Sequence, residues 1–227
     1  MEAVKVATGV AALLSLAGGV LKKRELIGLS ALTVLGVLIY RTKQFGYPPI
    51  FDGFDTIVLF SAVFGVTALL SKADLRLAGV VAGVLLGGAL FLPSEVKSIP
   101  PIIRTPLFFV HVGSALISYA VFLSCSVIAV FSKRAEVIRP FRWGFFLFTV
   151  SLFFGALWAF LAWGEIFMLD PKSIFSIGFW LFSAFIFHTL HDEKLKNYTR
   201  LMVVLNGLMV LFLFLGVNFL FGGTHEF

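Results

Sequence analysis

The sequence predicts an all-α integral membrane protein built as a polytopic bundle of about eight transmembrane helices. Of its 227 residues, 59% are hydrophobic and only 13% are charged, against about 25% charged residues in ordinary soluble domains. The mean hydropathy is +1.02. The apolar stretches are unbroken rather than alternating, which indicates membrane helices, whose backbone polar groups are satisfied within the helix itself.

Eight apolar stretches predict spans of roughly the 20 residues that cross a bilayer. They lie at residues 3–21, 25–40, 55–71, 76–93, 106–131, 143–162, 173–190 and 201–221. Eight spans place both termini on the same side of the membrane. The first stretch has no small-residue cleavage site, so we expect it to be retained rather than removed as a signal peptide.

The Lys and Arg residues between the spans predict the orientation. One set of connections holds twelve of the 18, namely Lys22, Lys23, Arg24, Lys72, Arg76, Lys133, Arg134, Arg139, Arg142, Lys194, Lys196 and Arg200. The other set, with the termini, holds six: Lys5, Arg41, Lys43, Lys97, Arg104 and Lys172. Because positive charge favours the cytoplasmic side, we expect both termini, and the loops at 41–54, 94–105 and 163–172, to be extracytoplasmic.

A proline-rich loop, residues 94–105, predicts the division of the chain; it contains Pro100 and Pro101 and follows directly after Pro93. It separates an N-terminal four-span segment, 1–93, from a C-terminal segment, 106–227. The first segment is rich in Gly, Ala, Leu and Val, which suits close helix packing. The second holds all four histidines and all four tryptophans, so we expect the chemistry to lie there.

Several functional classes are excluded by composition. The single cysteine, Cys125, lies in an apolar stretch and rules out an intrachain disulfide, a CxxC pair and a cysteine-rich metal site, which leaves a packing thiol. The net charge of +6 comes from short basic clusters at the ends of spans. Such clusters suit membrane lipid headgroups and not nucleic acid. No nucleotide-binding loop and no Ser/His/Asp set occurs.

Two histidines are predicted to share one membrane face. His111 begins the fifth span and His225 follows the eighth, so both are expected outside, with the stretch WGEIFMLDPKSIFSIGFW between them in the sequence. Two neutral imidazoles beside apolar aromatic side chains suit axial ligation of haem iron. The alternative is that both histidines are interfacial and that their alignment is accidental.

The other two histidines lie toward the cytoplasmic side. His188 is within the seventh span, where an ionisable residue usually faces a cavity or a partner; it is either a ligand or a residue hydrogen-bonded to a neighbouring helix. His191 stands beside Asp192 and Glu193 and is expected to be a solvated loop residue.

Three blocks of the C-terminal half form a recognisable pattern. The first block is His111-Val112-Gly113 with Tyr119, Ala120 and Phe122; the second is Trp163, Gly164, Asp170, Pro171, Lys172, Trp180, Leu181, Ala184, His188 and Thr189; the third is Gly216-Val217-Asn218 with Gly223-Thr224-His225. Together they resemble the CcsA (ResC) cytochrome c biogenesis family, a haem-handling group named for a tryptophan-rich WWD loop, and the resemblance covers about residues 106–227.

This resemblance implies a multi-pass subunit of a cytochrome c synthase in the cell inner (cytoplasmic) membrane. Its cargo would be haem b, presented outside for attachment to the CxxCH motif of apocytochrome c, and its partner a CcsB (ResB)-like membrane protein. The resemblance assigns the axial haem-iron ligands to His111 and His225 outside and His188 inside. The residues of the haem-contacting loop would be Trp163, Phe167, Asp170 and Trp180.

The sequence also departs from the family. Phe167, Leu169 and Phe175 stand where the family has further tryptophans, and Ser173 and Leu190 replace a glutamate and an arginine. An alternative is therefore a non-catalytic HemX-like relative that regulates or scaffolds tetrapyrrole synthesis, and whether the chain belongs to a haem lyase stays open. The Asp170-Pro171-Lys172 triplet has two readings: a helix start, in which Asp170 caps and Pro171 fits the first turn, or a site where Lys172 pairs with a haem propionate.

Overall fold

The computed structural model confirms an all-α protein. It describes residues 2–95, 101–131, 134–217 and 220, and every regular element in these ranges is helical. The α-helices are α1 Glu2–Val20, α2 Arg24–Phe45, α3 Gly53–Leu70, α4 Leu75–Ala89, α5 Pro106–Phe131, α6 Arg134–Trp163, α7 Pro171–Thr189 and α8 Lys196–Leu211. Short 3-10 turns lie at Pro101–Ile103 and Glu193–Leu195, and a π-helical turn, Phe212–Gly216, continues α8.

Length and composition support a multi-pass membrane protein. Among the described residues, seven of these helices are long and apolar enough to cross a membrane. The exception is α4, which has 15 residues and reaches only about 22 Å at 1.5 Å per residue.

The fourth predicted span, 76–93, is therefore too long. Three successive backbone N–H groups, from Leu90 to Leu92, donate to the carbonyl three residues earlier, at 3.0–3.2 Å. This tightening follows Gly87 and Gly88 and precedes Pro93, which cannot continue the helix. The apolar stretch thus ends in turns rather than in α-helix.

The helices form two compact units, residues 1–99 and 100–227. The first contains α1 to α4 and the second α5 to α8. The assignment of a separate function to each segment stays a prediction.

In the first unit, α1 and α4 are in backbone contact through glycine. A Cβ added to Gly79 of α4 would lie 2.6 Å from the Cα and N of Gly19 and from the carbonyl oxygen of Ser15. One added to Gly19 would lie 2.9 Å from the carbonyl oxygen of Arg76. Backbone atoms cannot move aside as side chains do, so the close packing predicted for this half depends on these two glycines.

A buried ion pair joins α2 to α3 in the same unit. The Arg41 side chain is 1% exposed and that of Asp55 is fully buried. The guanidinium donates to Asp55 Oδ2 at 2.7 Å, pairs with Oδ1 through Nε, and donates to the Ser94 carbonyl at 3.1 Å. Asp52 lies 3.6 Å away and caps α3. Pairing of this kind is what allows a charge to be buried.

This pairing corrects the second predicted span. The prediction ended that span at residue 40 and placed Arg41 in a loop, whereas α2 continues to Phe45 and stops at Gly46, whose φ is 77°. The charge that suggested a loop is neutralised by Asp55 within the bundle, so it does not end the helix.

The sixth predicted span is also too short, since α6 begins at Arg134 rather than at 143. Arg139 and Arg142 are helical and exposed, and long basic side chains reach water from the end of a membrane helix without breaking it. Pro140 lies inside this first part of α6. Its missing N–H removes one bond to the Glu136 carbonyl, which the helix tolerates near its end.

Aromatic side chains fill the core of the second unit. Tyr119 and Phe122 of α5 contact rings from α6, α7 and the π-helical turn, with ring centroids 4.9–6.5 Å apart. The partners are Phe141, Phe148, Phe179 and Phe214. All six are buried, so aromatic rings make up much of the core of this unit.

We predict that Gly79→Ala destabilises the protein by about 1–3 kcal/mol, because the new methyl group overlaps backbone atoms of α1. The matched control is Gly87→Ala in the same helix, where an added Cβ meets nothing within 4 Å. The control should be neutral or slightly stabilising, since alanine favours helix over glycine. Thermal unfolding in detergent measures both; equal melting temperatures would contradict the assigned contact.

Candidate functional site

One face of α6 lies against α5 along most of its length. Its residues recur at intervals of three and four, and the two helices run antiparallel. The contacts from one end to the other are Gly144 with Ser118 and Phe122, Phe148 with Tyr119, Ser151 and Gly155 with His111, and Trp158 with Phe108. This seam brings the N-terminal end of α5 to the C-terminal end of α6.

His111 is seated in this seam by two small residues of α6. Its Nδ1 lies 2.8 Å from the Ser151 carbonyl oxygen and 3.1 Å from the Ser151 hydroxyl, which itself donates to the His111 carbonyl at 3.0 Å. A Cβ on Gly155 would lie 2.6 Å from Nδ1 and 2.7 Å from Cε1. The imidazole therefore occupies space that only glycine leaves open.

These contacts select the tautomer of His111. A carbonyl oxygen can only accept a hydrogen bond, so the proton of the neutral ring is on Nδ1. The lone pair is then on Nε2, the atom through which a histidine ligand binds a metal when Nδ1–H is held by a carbonyl. His111 is thus fixed as a base with a defined direction.

The loop between α6 and α7 is fixed at both ends. Trp163 is the last residue of α6, and Gly164 follows in the left-handed region at φ 77°, donating its N–H to the Phe160 carbonyl at 2.9 Å. Asp170 is the N-cap of α7: Oδ1 accepts from the N–H groups of Lys172 at 2.9 Å and Ser173 at 3.2 Å. The helix-start reading of the triplet is confirmed.

Ser173 supports the same cap. Its hydroxyl donates to Asp170 Oδ2 at 2.6 Å. Both carboxylate oxygens of Asp170 are therefore engaged in starting α7. Pro171 lies in the first turn, where its missing N–H costs nothing.

Between these two ends the loop exposes apolar side chains. Trp163, Ile166, Phe167 and Leu169 all lie on the surface, and Leu169 is 84% exposed. Trp163 packs edge-on against Trp158, which donates its indole N–H to the Ile102 carbonyl at 3.0 Å. The loop is thereby tied to the residues that precede α5.

Lys172 lies in the first turn of α7, directly after the loop that leaves the C-terminal end of α6. The N-terminal ends of α5 and α7 and the C-terminal end of α6 thus converge. They place His111, Trp163, Asp170 and Lys172 at one end of the second unit.

Trp180 is not part of this group. It lies nine residues after Pro171, about 14 Å along the helix. Its Nε1 donates to Thr149 Oγ1 at 2.9 Å, and its ring stacks on Phe145 at 5.7 Å. These contacts fasten α7 to the middle of α6, and a haem contact of Trp180 stays a prediction.

His188 is far from the converging ends. It lies in the last turn of α7 and its side chain is exposed, in edge contact with Phe187. From Lys172 to His188 the helix extends about 24 Å. His111 and His188 therefore cannot ligate one iron atom, and any role for His188 is at a second position. His225 lies outside the described residues.

Sequence reasoning missed Ser151, Gly155 and Trp158, which hold His111 and the loop in place. All three lie on the face of α6 that contacts α5, at intervals of four and three residues. The spacing of the small residues is visible in the sequence, but it does not show which residue of α5 packs against them.

The fold and this group of residues define a polytopic helical membrane protein with a histidine site at one end of its C-terminal unit. A family model described as Cytochrome C assembly protein matches residues 134–225. The Cytochrome c biogenesis protein CcsA of Amborella trichopoda is 22% identical over 90% of this chain and 88% of its own length; that of Synechococcus sp. (strain WH7803) is 24% identical over 90% and 84%. That of Cyanophora paradoxa is 31% identical over 51% and 37%.

The chain is thus similar over most of its length to CcsA cytochrome c biogenesis proteins, and its match to the family model covers residues 134–225. The alignment to the Amborella relative runs over 277 positions, more than the 227 residues of this chain. The relative therefore contains insertions that this protein lacks.

We predict that Asp170→Ala destabilises the protein by about 1 kcal/mol, whereas Asp170→Asn leaves stability nearly unchanged, because asparagine caps as well as aspartate does. Thermal unfolding in detergent gives both values. Equal destabilisation in the two variants would show that the carboxylate charge, and not the cap, is what the fold requires.

Proposed function

We propose that this protein is the haem-handling subunit of a cytochrome c synthase and that it holds haem at the N-terminal end of α5. The observation that carries the proposal is the seating of His111, whose Nδ1–H is held by the Ser151 carbonyl so that Nε2 is a free base. The curated relatives bear the name cytochrome c biogenesis protein, which supports the same process for this chain.

The residues at this end of the unit fit haem as a cargo. His111 offers an imidazole nitrogen to the iron, and Trp163 and Phe167 offer exposed apolar surface to a porphyrin. Lys172, in the first turn of α7, is the proposed positive charge for a propionate. Asp170 contributes indirectly, since its cap fixes where the loop ends and α7 begins.

In this proposal the chemistry is the addition of the two thiols of a CxxCH motif in apocytochrome c across the vinyl groups of haem b. The protein contributes orientation, which alone lowers the barrier of such a reaction substantially. His225 is the proposed second axial ligand at this face. The 12 to 6 distribution of Lys and Arg supports an extracytoplasmic position for this face and for both termini in the cell inner membrane.

His188 is the proposed ligand at an inner haem position. Its exposed place in the last turn of α7 makes its ring available to a partner chain. His191, three residues later, donates its Nδ1–H to the Phe187 carbonyl at 2.9 Å. In this proposal a CcsB (ResB)-like membrane protein supplies the second histidine at the inner position.

The second candidate is a HemX-like relative that binds haem or scaffolds a complex without attaching haem. The observation in its favour is the loop itself, where Phe167 and Leu169 are exposed in places that the family fills with tryptophan. These side chains keep apolar surface but have no indole N–H to donate.

The first prediction is spectroscopic. The protein purified with its ResB-like partner should show the absorption of bis-histidine haem, and His111→Ala and His225→Ala should each remove it from the outer position. The control is His191→Ala, which should keep the spectrum. A wild-type preparation without this absorption, or one unchanged in both variants, contradicts the proposal.

The same preparation separates the two candidates. When an apocytochrome with a CxxCH motif is coexpressed, the synthase subunit yields covalently bound haem that survives denaturation. A haem-loaded protein that yields none, with the partner present, supports the HemX-like candidate instead.

A further prediction concerns Gly155. Gly155→Ala should displace the His111 ring, because the added methyl would overlap it, and should lower the outer haem absorption to near the level of His111→Ala. Gly113→Ala in α5, where an added Cβ meets nothing within 4 Å, is the control. Full haem content in Gly155→Ala would contradict the role given to the seam.

A further inference from the structure

A groove of about 330 Å³ lies where the last residues of α5 meet the first turns of α8. It is at the opposite end of α5 from His111 and takes no part in the function proposed above. Its lining residues are Val130, Asn197, Arg200, Leu201 and Val204.

Arg200 is the charged group of this groove. Its side chain is exposed, and one Nη donates to the carbonyl of Val130, near the C-terminal end of α5 where helix carbonyls lack a partner. Both ion pairs found among the described residues belong to Arg41. Within that part of the chain, then, the charge of Arg200 has no carboxylate partner, and a guanidinium has further N–H groups to donate.

On one face of α8, two polar residues are followed by apolar residues. Asn197 and Arg200 are three residues apart, and Leu201 and Val204 continue the same face one turn on, since intervals of three and four align side chains on a helix. Leu205 and Leu208 are exposed and extend an apolar strip beyond them. This strip lies C-terminal to Asn197 and Arg200, toward the middle of α8.

We propose that this groove binds the headgroup phosphate of an anionic phospholipid. The guanidinium of Arg200 and the amide of Asn197 donate to the phosphate oxygens, and one acyl chain lies along Leu201, Leu205 and Leu208. A basic pocket between membrane helices at the surface of the bilayer is the site that such lipids take, and arginine binds phosphate in two-pronged geometry.

Charge decides between the kinds of lipid. A lipid such as phosphatidylglycerol brings one uncompensated negative charge to one uncompensated arginine. Phosphatidylcholine carries a choline cation beside its phosphate. It therefore has no net negative charge to compensate that of Arg200. The sequence adds to the preference, because Lys133 and Arg134 follow Val130 by three and four positions.

The test uses the full chain in detergent micelles, titrated with dioleoyl phosphatidylglycerol, dioleoyl phosphatidylcholine or inorganic phosphate. Native mass spectrometry counts retained lipid, and thermal unfolding gives the half-saturating concentration. We expect phosphatidylglycerol to be retained and to raise the melting temperature, phosphatidylcholine to do neither, and phosphate to have no effect at equal concentration.

Arg200→Gln should raise the half-saturating concentration of phosphatidylglycerol about tenfold, as expected for loss of a charged hydrogen bond. Asn197→Ala should raise it less. Arg139→Gln, which removes an exposed arginine of α6 from the same predicted side, is the matched control and should leave it unchanged.

Three results overturn the proposal. One is equal retention of phosphatidylglycerol and phosphatidylcholine by the wild-type protein, which needs no variant and so holds even if Arg200→Gln does not fold. The second is an equal loss of phosphatidylglycerol in Arg139→Gln and Asn197→Ala, which would mean that bulk charge and not this groove attracts the lipid. The third is an effect of inorganic phosphate as large as that of the lipid, which would identify an ion site instead.

Discussion

The close approach of α5 and α6 is the constraint on which the C-terminal unit depends. At Gly155 the imidazole of His111 fills the space of a missing side chain, and at Ser151 it meets a carbonyl that fixes its proton. The same seam places Trp158 where it holds the residues before α5. The contact between α5 and α6 therefore sets both the packing of the unit and the position of His111. A change in the angle between these helices would move His111 and the loop between α6 and α7 together.

Both units combine close contacts at glycine with buried phenylalanine rings. In the first, glycine brings backbones together at Gly19 and Gly79, and a buried charge pair between Arg41 and Asp55 ties α2 to α3. In the second, Gly155 admits the His111 ring beside a core of buried phenylalanine. This unit leaves a half-buried histidine and an exposed loop at one end, which suits the proposed binding of a large flat cargo.

Much of this arrangement was predictable from sequence. Unbroken apolar stretches predicted the helices, and the geometry of Asp170 and Pro171 as a helix start was read correctly because capping is a local property of a few residues. What sequence could not give depends on contacts between distant helices. Arg41 appeared to be a loop residue because its partner Asp55 lies on another helix, and Gly155 appeared to be one glycine among many because His111 is 44 positions away.

The central claim is that the fold presents His111 as a neutral imidazole with its lone pair on Nε2. Nitrogen-15 NMR of the histidine-labelled, haem-free protein, with His111→Ala used to assign the resonances, tests it directly. The account predicts a protonated Nδ1 and an unprotonated Nε2 for His111. A proton on Nε2 with none on Nδ1 would contradict it, because the Ser151 carbonyl would then have no donor and the nitrogen needed for iron would be blocked.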